Sequence, residues 1–314
     1  MLNMLELVSL ISAISLSLFT LLKWPKRFWM AYLVGLAFST PVFLLFHTFM
    51  PAIVFVIAVI SARVLYTRRF FFVMPLLLII GGILYALRVQ AVDWELFDIA
   101  VGLGTAVSLL TDRKGLHYAA DNDRSKGSDK HREIIRDLVQ IGAGIVMILL
   151  VLIMGEGHGR IAITMAVFPF YIIGNYYALF PASTIAKTLF SLERKSSPLG
   201  MGAIWFAAGM LIAMGIVDST HVLAVIIFAT TIGDPMATLF GIKIRSPRIP
   251  YNRRKSVSGF MAIFVFSGIF GYFMIGFAGL GIGIISAVVE SMAYYPFDDN
   301  FILPVILGAV GSII

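Results

Sequence analysis

A carboxylate inside an apolar run is the most informative residue in this chain. Asp234 stands between Gly233 and Pro235 in a stretch that is otherwise apolar, and an acid at membrane depth costs about 2.5–3.5 kcal/mol on insertion scales. Pro235 removes a backbone donor and Gly233 is permissive, so a helix passing here is expected to loosen and offer free backbone groups beside the carboxylate. Thr230, Thr231 and Thr238 sit about one turn to either side. Such a cluster suits a magnesium ion or a phosphate. The plainer alternative is a proline kink whose acid bonds to a neighbouring helix.

A basic segment follows, with Lys243, Arg245, Arg248, Arg253, Arg254 and Lys255 placing six cations in thirteen residues. Anchoring to a membrane surface needs fewer. The run Asn252-x-x-Lys255-Ser256-x-x-Gly259 leads into the next apolar stretch, where a lysine and the N–H groups of a helix start could hold a phosphate. No G-x-x-x-x-G-K-[ST] sequence occurs, which excludes a P-loop nucleotide site.

Two further constellations carry charge into apolar surroundings. Glu290 ends a hydrophobic run, and after the aromatic turn Tyr294 to Phe297 come Asp298, Asp299 and Asn300. Neighbouring carboxylates repel, and a divalent cation or a basic partner relieves that repulsion; hard oxygen ligands favour magnesium. A hydrated acidic turn is the bland counterpart. Upstream, Glu133, Arg136, Asp137 and Gln140 recur at spacings of three and four and so share one helix face. Gly142 and Gly144 beyond them permit close packing. This stripe reads equally as an ion-pair seam or as a substrate contact. None of the histidines His47, His117, His131, His158 and His221 pairs at metal-ligand spacing. Cysteine is absent, which removes thiolate chemistry and disulfides.

The elements that must position these residues are membrane helices. Sixty per cent of residues are hydrophobic and only 13% charged, against roughly 45–50% and 25% in soluble domains. A span needs about 20 apolar residues, and eleven or twelve stretches approach that length: 4–22, 29–48, 51–66, 70–87, 95–110, 137–154, 160–180, 200–216, 221–241, 257–274, 276–293 and 301–314. The first reads as a span, because it lacks the basic start and the cleavage site of a signal peptide. The expected fold is an all-α polytopic bundle. Nearly all Lys and Arg fall in odd-numbered loops, which places those loops in the cytoplasm and the amino terminus outside. The net charge of +7 is therefore topological and does not imply nucleic acid. Residues 1–110 form accessory spans free of motifs, 111–132 a polar cytoplasmic loop, and 133–314 the domain that carries the chemistry. No internal repeat is evident.

Taken together, Gly233-Asp234 to Gly241, Asn252-x-x-Lys255-Ser256-x-x-Gly259, and Glu290 with Asp298-Asp299-Asn300 resemble the polyprenol kinase family of dolichol kinase, phytol kinase and CTP-dependent diacylglycerol kinase. That family is itself similar to the phosphatidate cytidylyltransferases. The resemblance covers about residues 133–314. It implies transfer of the γ-phosphate of CTP, or of another nucleotide, to a long-chain isoprenoid alcohol, with a membrane-embedded active face in the cytoplasm. It further implies that Asp234, Asp298 and Asp299 bind Mg2+ and that Arg254 and Lys255 hold phosphate oxygens. Glu290 is the expected proton acceptor, and Gly233, Gly241, Asn252, Ser256, Gly259, Asn300, Arg136 and Gln140 are expected to contact nucleotide or lipid. The chain departs from the family at R-K-x-x-H-x-x-G, where Asp137 and Gln140 replace Lys and His. A cytidylyltransferase acting on a lipid phosphate is the alternative, and an ion-coupled transporter using Asp234 and Glu290 a third reading. Oligomeric state is left open.

Overall fold

The computed structural model describes residues 129–155, 201–293 and 299–314, together with Glu95, Asp98, Ile99, Gly102, Leu103 and Ala106. The spans expected at 4–22, 29–48, 51–66, 70–87 and 160–180 lie outside the described residues, as do residues 111–128 of the polar loop and Asp298. Among the described residues the chain is mostly helical. The helices are α1 (Asp129–Met154), α2 (Met201–Ile216), α3 (Thr220–Phe228), α4 (Asp234–Lys243), α5 (Val257–Ile275), α6 (Phe277–Met292) and α7 (Asp299–Gly311). A π-helical turn, Ala229–Gly233, joins α3 to α4, and two short strands, β1 (Arg248–Ile249) and β2 (Asn252–Ser256), lie between α4 and α5.

Among the described residues, three helical segments are long and apolar enough to cross a membrane: Ile134–Met154, Thr220–Lys243 and Val257–Ile275. Helix α1 begins at Asp129, earlier than its apolar run, so the last residues of the expected loop are helical. Lys, Arg and Glu have good helix propensity and extend the helix outward from its apolar part. The segment of α3, the π turn and α4 is the central one, and Val222 through Ile227 are all buried. By contrast, α1 exposes Leu138, Val139, Val146 and Ile153, and α5 exposes Ile269 and Phe273. Large apolar side chains facing outward along membrane-length helices are what a lipid surround accommodates.

Lipid offers no hydrophobic drive between helices, so packing rests on close backbone approach. Helices α5 and α6 form an antiparallel hairpin that turns at Gly276, whose φ of 67° suits glycine. Just beyond the turn the backbones touch: a Cβ built on Gly271 would fall 2.7 Å from the Gly279 carbonyl oxygen. Helix α7 lies against α2, with Trp205 and Phe301 rings 5.0 Å apart. Phe228 of α3 and Phe270 of α5 stack at 4.1 Å.

The connection 242–256, expected as a loop, contains an antiparallel hairpin with Arg248 opposite Ser256 and Ile249 opposite Asn252. Pro250 and Tyr251 form its turn, and Arg248 donates a guanidinium hydrogen bond to the Arg254 carbonyl at 3.2 Å.

Candidate functional site

The helix break forecast at Gly233-Asp234-Pro235 takes the form of the π turn. The Asp234 N–H reaches the Ala229 carbonyl, five residues back. Thr230 and Thr231 are buried and bond to their own helix. The Thr230 hydroxyl donates to the Ile226 and Ile227 carbonyls at 2.9 and 3.0 Å, and that of Thr231 to the Ile227 carbonyl at 2.6 Å. Such back-bonding satisfies buried hydroxyls and bends helices. The turn lies against α1, where Gln140 Nε2 donates to the Thr230 carbonyl at 2.8 Å. A Cβ on Gly144 would sit 1.9 Å from Thr231 Oγ1, whereas one on Gly142 would meet nothing. Gly144 alone of that pair serves close packing. Arg136 bonds Asp137 at 2.9 Å, and Asp137 is buried. The α1 stripe thus packs on the turn that carries Asp234.

Each marked residue of Asn252-x-x-Lys255-Ser256-x-x-Gly259 has a separate physical task. The Asn252 amide donates to the Ser291 and Ala293 carbonyls at 3.0 and 3.3 Å, while its oxygen accepts the Arg254 N–H at 3.2 Å. Tyr251 and Ser291 hydroxyls meet at 2.7 Å. These bonds fasten the hairpin tip to the end of α6. Ser256 caps α5 by accepting the Gly259 N–H at 3.2 Å, a favourable N-cap role. Gly259 lets α4 and α5 meet, since a Cβ there would lie 2.8 Å from the Ala237 carbonyl. On Gly241 it would lie 2.8 Å from Ser256 Oγ, and on Gly233 2.4 Å from Ser267 Oγ. Three of the residues expected to contact nucleotide, Gly233, Gly241 and Gly259, therefore sit at helix contacts.

Lys255 turns inward from β2 to the carboxylates. Its ammonium bonds Glu290 Oε1 at the end of α6 and Asp299 Oδ2 at the start of α7, the latter at 3.3 Å. Asp234 adds to the same field. Burial alone would lower the pKa of Lys255, but the Asp299, Glu290 and Asp234 carboxylates outweigh it and hold the ammonium above its usual value. Asp234, Glu290 and Asp299 are all buried, at 6%, 3% and 7% exposure. Three buried carboxyl groups thus surround one lysine. Asp299 also accepts the Asn300 N–H at 3.2 Å, as an acid at a helix start should. Around this acidic interior Lys243, Arg245, Arg248, Arg253 and Arg254 are exposed.

Among the described residues, no three His, Asp or Glu side chains form a group ready to hold a metal ion. The donor chemistry nevertheless suits a hard divalent cation. Its expected ligand Asp298 lies outside the described residues. Distant segments converge: Lys255 with Glu290 and Asp299, and Gln140 with the Asp234 turn. Sequence reasoning passed over Tyr251, Ser291 and Ser267, whose hydroxyls carry no signal in a single sequence. It also passed over Asp98, a buried acid in a span read as free of motifs. Ser267 Oγ is buried without a hydrogen-bond partner, facing Gly233.

No family model matches the chain, and no solved structure matches it. It is similar to an uncharacterized protein of Methanocaldococcus jannaschii, 29% identical over 183 residues, which cover 57% of this chain and 92% of that protein.

Proposed function

We propose that the chain is a membrane-embedded lipid kinase, transferring the γ-phosphate of CTP or another nucleoside triphosphate to the hydroxyl of a long-chain isoprenoid alcohol of dolichol, phytol or geranylgeraniol type. The observation that carries this reading is the buried Asp234–Lys255–Glu290–Asp299 set beneath an exposed basic hairpin, at one end of lipid-facing helices. Two opposite binding demands are met side by side: cations for phosphate oxygens, and carboxylates for a metal and a proton. The proposed frame is a bundle of eleven or twelve spans with the amino terminus outside and this end in the cytoplasm, as the basic loops favour.

Phosphoryl transfer depends mostly on positioning and charge neutralisation. Arg253 and Arg254 on the hairpin take the phosphate oxygens as donors. Lys255, committed to Glu290 and Asp299, acts through them by fixing their orientation. Asp234 and Asp299, with Asp298, would hold Mg2+, which supplies neutralisation of the triphosphate. Glu290 accepts the proton of the lipid hydroxyl as its oxygen bonds to the γ-phosphorus; the β–γ bridging bond breaks and CDP leaves. The apolar faces of α5 and α6 give the alcohol's chain its path to this end.

Purified protein in lipid nanodiscs, given Mg2+, geranylgeraniol, dolichol or phosphatidate, and CTP labelled at either the γ- or the α-phosphate, tests the proposal. Label from the γ position should enter an alcohol, and Asp234→Asn should abolish it. Incorporation of α-label into phosphatidate would replace this reading with a cytidylyltransferase.

A further inference from the structure

We propose that Gln140 is the surrogate backbone donor for the carbonyl that Pro235 leaves open, and that this single bond holds the π turn which aims Asp234. In π register each N–H reaches five residues back, as Asp234 does to Ala229. The next bond in the series would run from residue 235 to the Thr230 carbonyl, and proline has no N–H to give. That carbonyl lies deep between helices, in a residue only 3% exposed, where no water can be assumed to serve it. Gln140 Nε2 arrives from a helix 90 residues earlier in the chain and donates to it at 2.8 Å. An acceptor that is a carbonyl fixes which end of the amide points there.

The consequence reaches Asp234, the residue immediately after the π turn. One residue more in a turn rotates everything beyond it by about 100° about the helix axis, the angle each residue subtends. Conversion of Ala229–Gly233 to α register would therefore swing Asp234 away from the face that puts its carboxylate in the field of Lys255. Gly144, one turn along α1, keeps the helix near enough for the Gln140 amide to reach, because a Cβ there would overlap Thr231. Gln140 is thus a positioning residue and acts through backbone. This role differs from the sequence expectation that it contacts nucleotide or lipid. The inference is independent of the phosphotransfer proposal, since it concerns how the turn is held.

A double-mutant cycle on the full chain in nanodiscs tests it by thermal unfolding. Gln140→Leu removes the donor and should lower the midpoint by about 5 °C, the range for an orphaned buried carbonyl. Pro235→Ala restores a backbone N–H, and in that background the same Gln140→Leu change should shift the midpoint by only about 1 °C. Pro304→Ala, a proline removed from α7 instead, should leave the full shift in place. Equal shifts in the Pro235→Ala and wild-type backgrounds would overturn the proposal. Should Gln140→Leu fail to fold, recovery of folded protein on adding Pro235→Ala supports it, and no recovery refutes it. Infrared spectra of protein carrying carbon-13 at threonine carbonyls give a reading that needs no proline variant. One amide I component should move to higher frequency in Gln140→Leu, and an unchanged band would sink the idea.

Discussion

Lys255→Met removes an ammonium bonded to both Glu290 and Asp299, and the structure sets the size of the effect. At 3.3 Å, the separation from Asp299, two unit charges in an effective dielectric of 20 attract by about 5 kcal/mol. Glu290 contributes a second attraction of similar kind. Against these stands the desolvation of a lysine whose side chain keeps 21% exposure, while its partners keep 4% and 7%. Removing one member of a buried pair costs about 3–5 kcal/mol, because the remaining charge is stranded. The residual exposure of Lys255 puts this case at the lower end, about 3 kcal/mol. For a domain of this size that corresponds to a midpoint lowered by roughly 6–12 °C. The assay is thermal unfolding in nanodiscs of fixed lipid composition, beside Lys255→Arg, which retains the charge and should lose about half as much. A shift below about 2 °C for Lys255→Met would show that water or other cations already serve the carboxylates, and would remove the premise of a buried acid–lysine set. The sign with pH follows from the raised pKa of Lys255. Its stabilisation is fully present below the ordinary value of 10.5 and is lost only as pH climbs toward the higher folded value. The wild-type advantage over Lys255→Met should therefore be flat from neutral pH to about 10, and a decline within that window would contradict the assigned field.

Gly144→Ala should destabilise by about 1–3 kcal/mol, the usual cost of overpacking, because its methyl would land 1.9 Å from Thr231 Oγ1. Gly142→Ala should be neutral or slightly stabilising, as helix propensity predicts where a methyl meets nothing. Equal effects in a thermal-shift measurement would mean that α1 does not pack on the π turn as described. Asn252→Leu strands the Ser291 and Ala293 carbonyls and should cost about 2 kcal/mol. Hydrogen exchange should quicken in residues 248–256 ahead of the rest, and uniform exchange would refute the fastening role. Ser256→Ala should cost about 1 kcal/mol through loss of the α5 cap, visible as faster exchange at Gly259.

How far these features could be read from sequence depends on the chemistry of each partner. Charges in an apolar chain announce themselves, because lipid penalises any that lack a reason to be there. Asp234 and Glu290 stood out on that ground, Lys255 and Asp299 by the basic and acidic segments they belong to. Their pairing was not legible, since Lys255 lies 35 and 44 residues from its partners and spacing cannot tell which carboxylate it meets. Pro235 announced a carbonyl without its donor, but nothing in one sequence pointed to Gln140, which chain composition makes as plausible a ligand contact as a backbone donor. The bonds from Asn252 to main-chain carbonyls were invisible for a related reason, as every residue carries such an acceptor. The hairpin was hidden because its strands are short and basic, without the apolar alternation that marks a strand. Gly142 and Gly144 looked equivalent until the rotation of α1 placed one against Thr231 and the other toward open space.

The way the hairpin is fastened bears on what kind of machine this end can be. Tyr251 and Asn252 join it to the end of α6, Lys255 joins it to α6 and α7 together, and Ser256 with Gly259 seats it on α4 and α5. Swinging the hairpin outward would withdraw the ammonium from both Glu290 and Asp299, a cost of several kcal/mol before any lost hydrogen bond is counted. A device that alternates access would incur that cost in every cycle, and would need a ligand to offset it each time. A platform that stays in place incurs none. In the proposed reaction substrates would come to it from two directions, an anionic one across the exposed arginines and an apolar one along the outward apolar faces of the helices, with the buried carboxylates between. The placement of charge thus favours chemistry at a fixed surface over passage through the membrane.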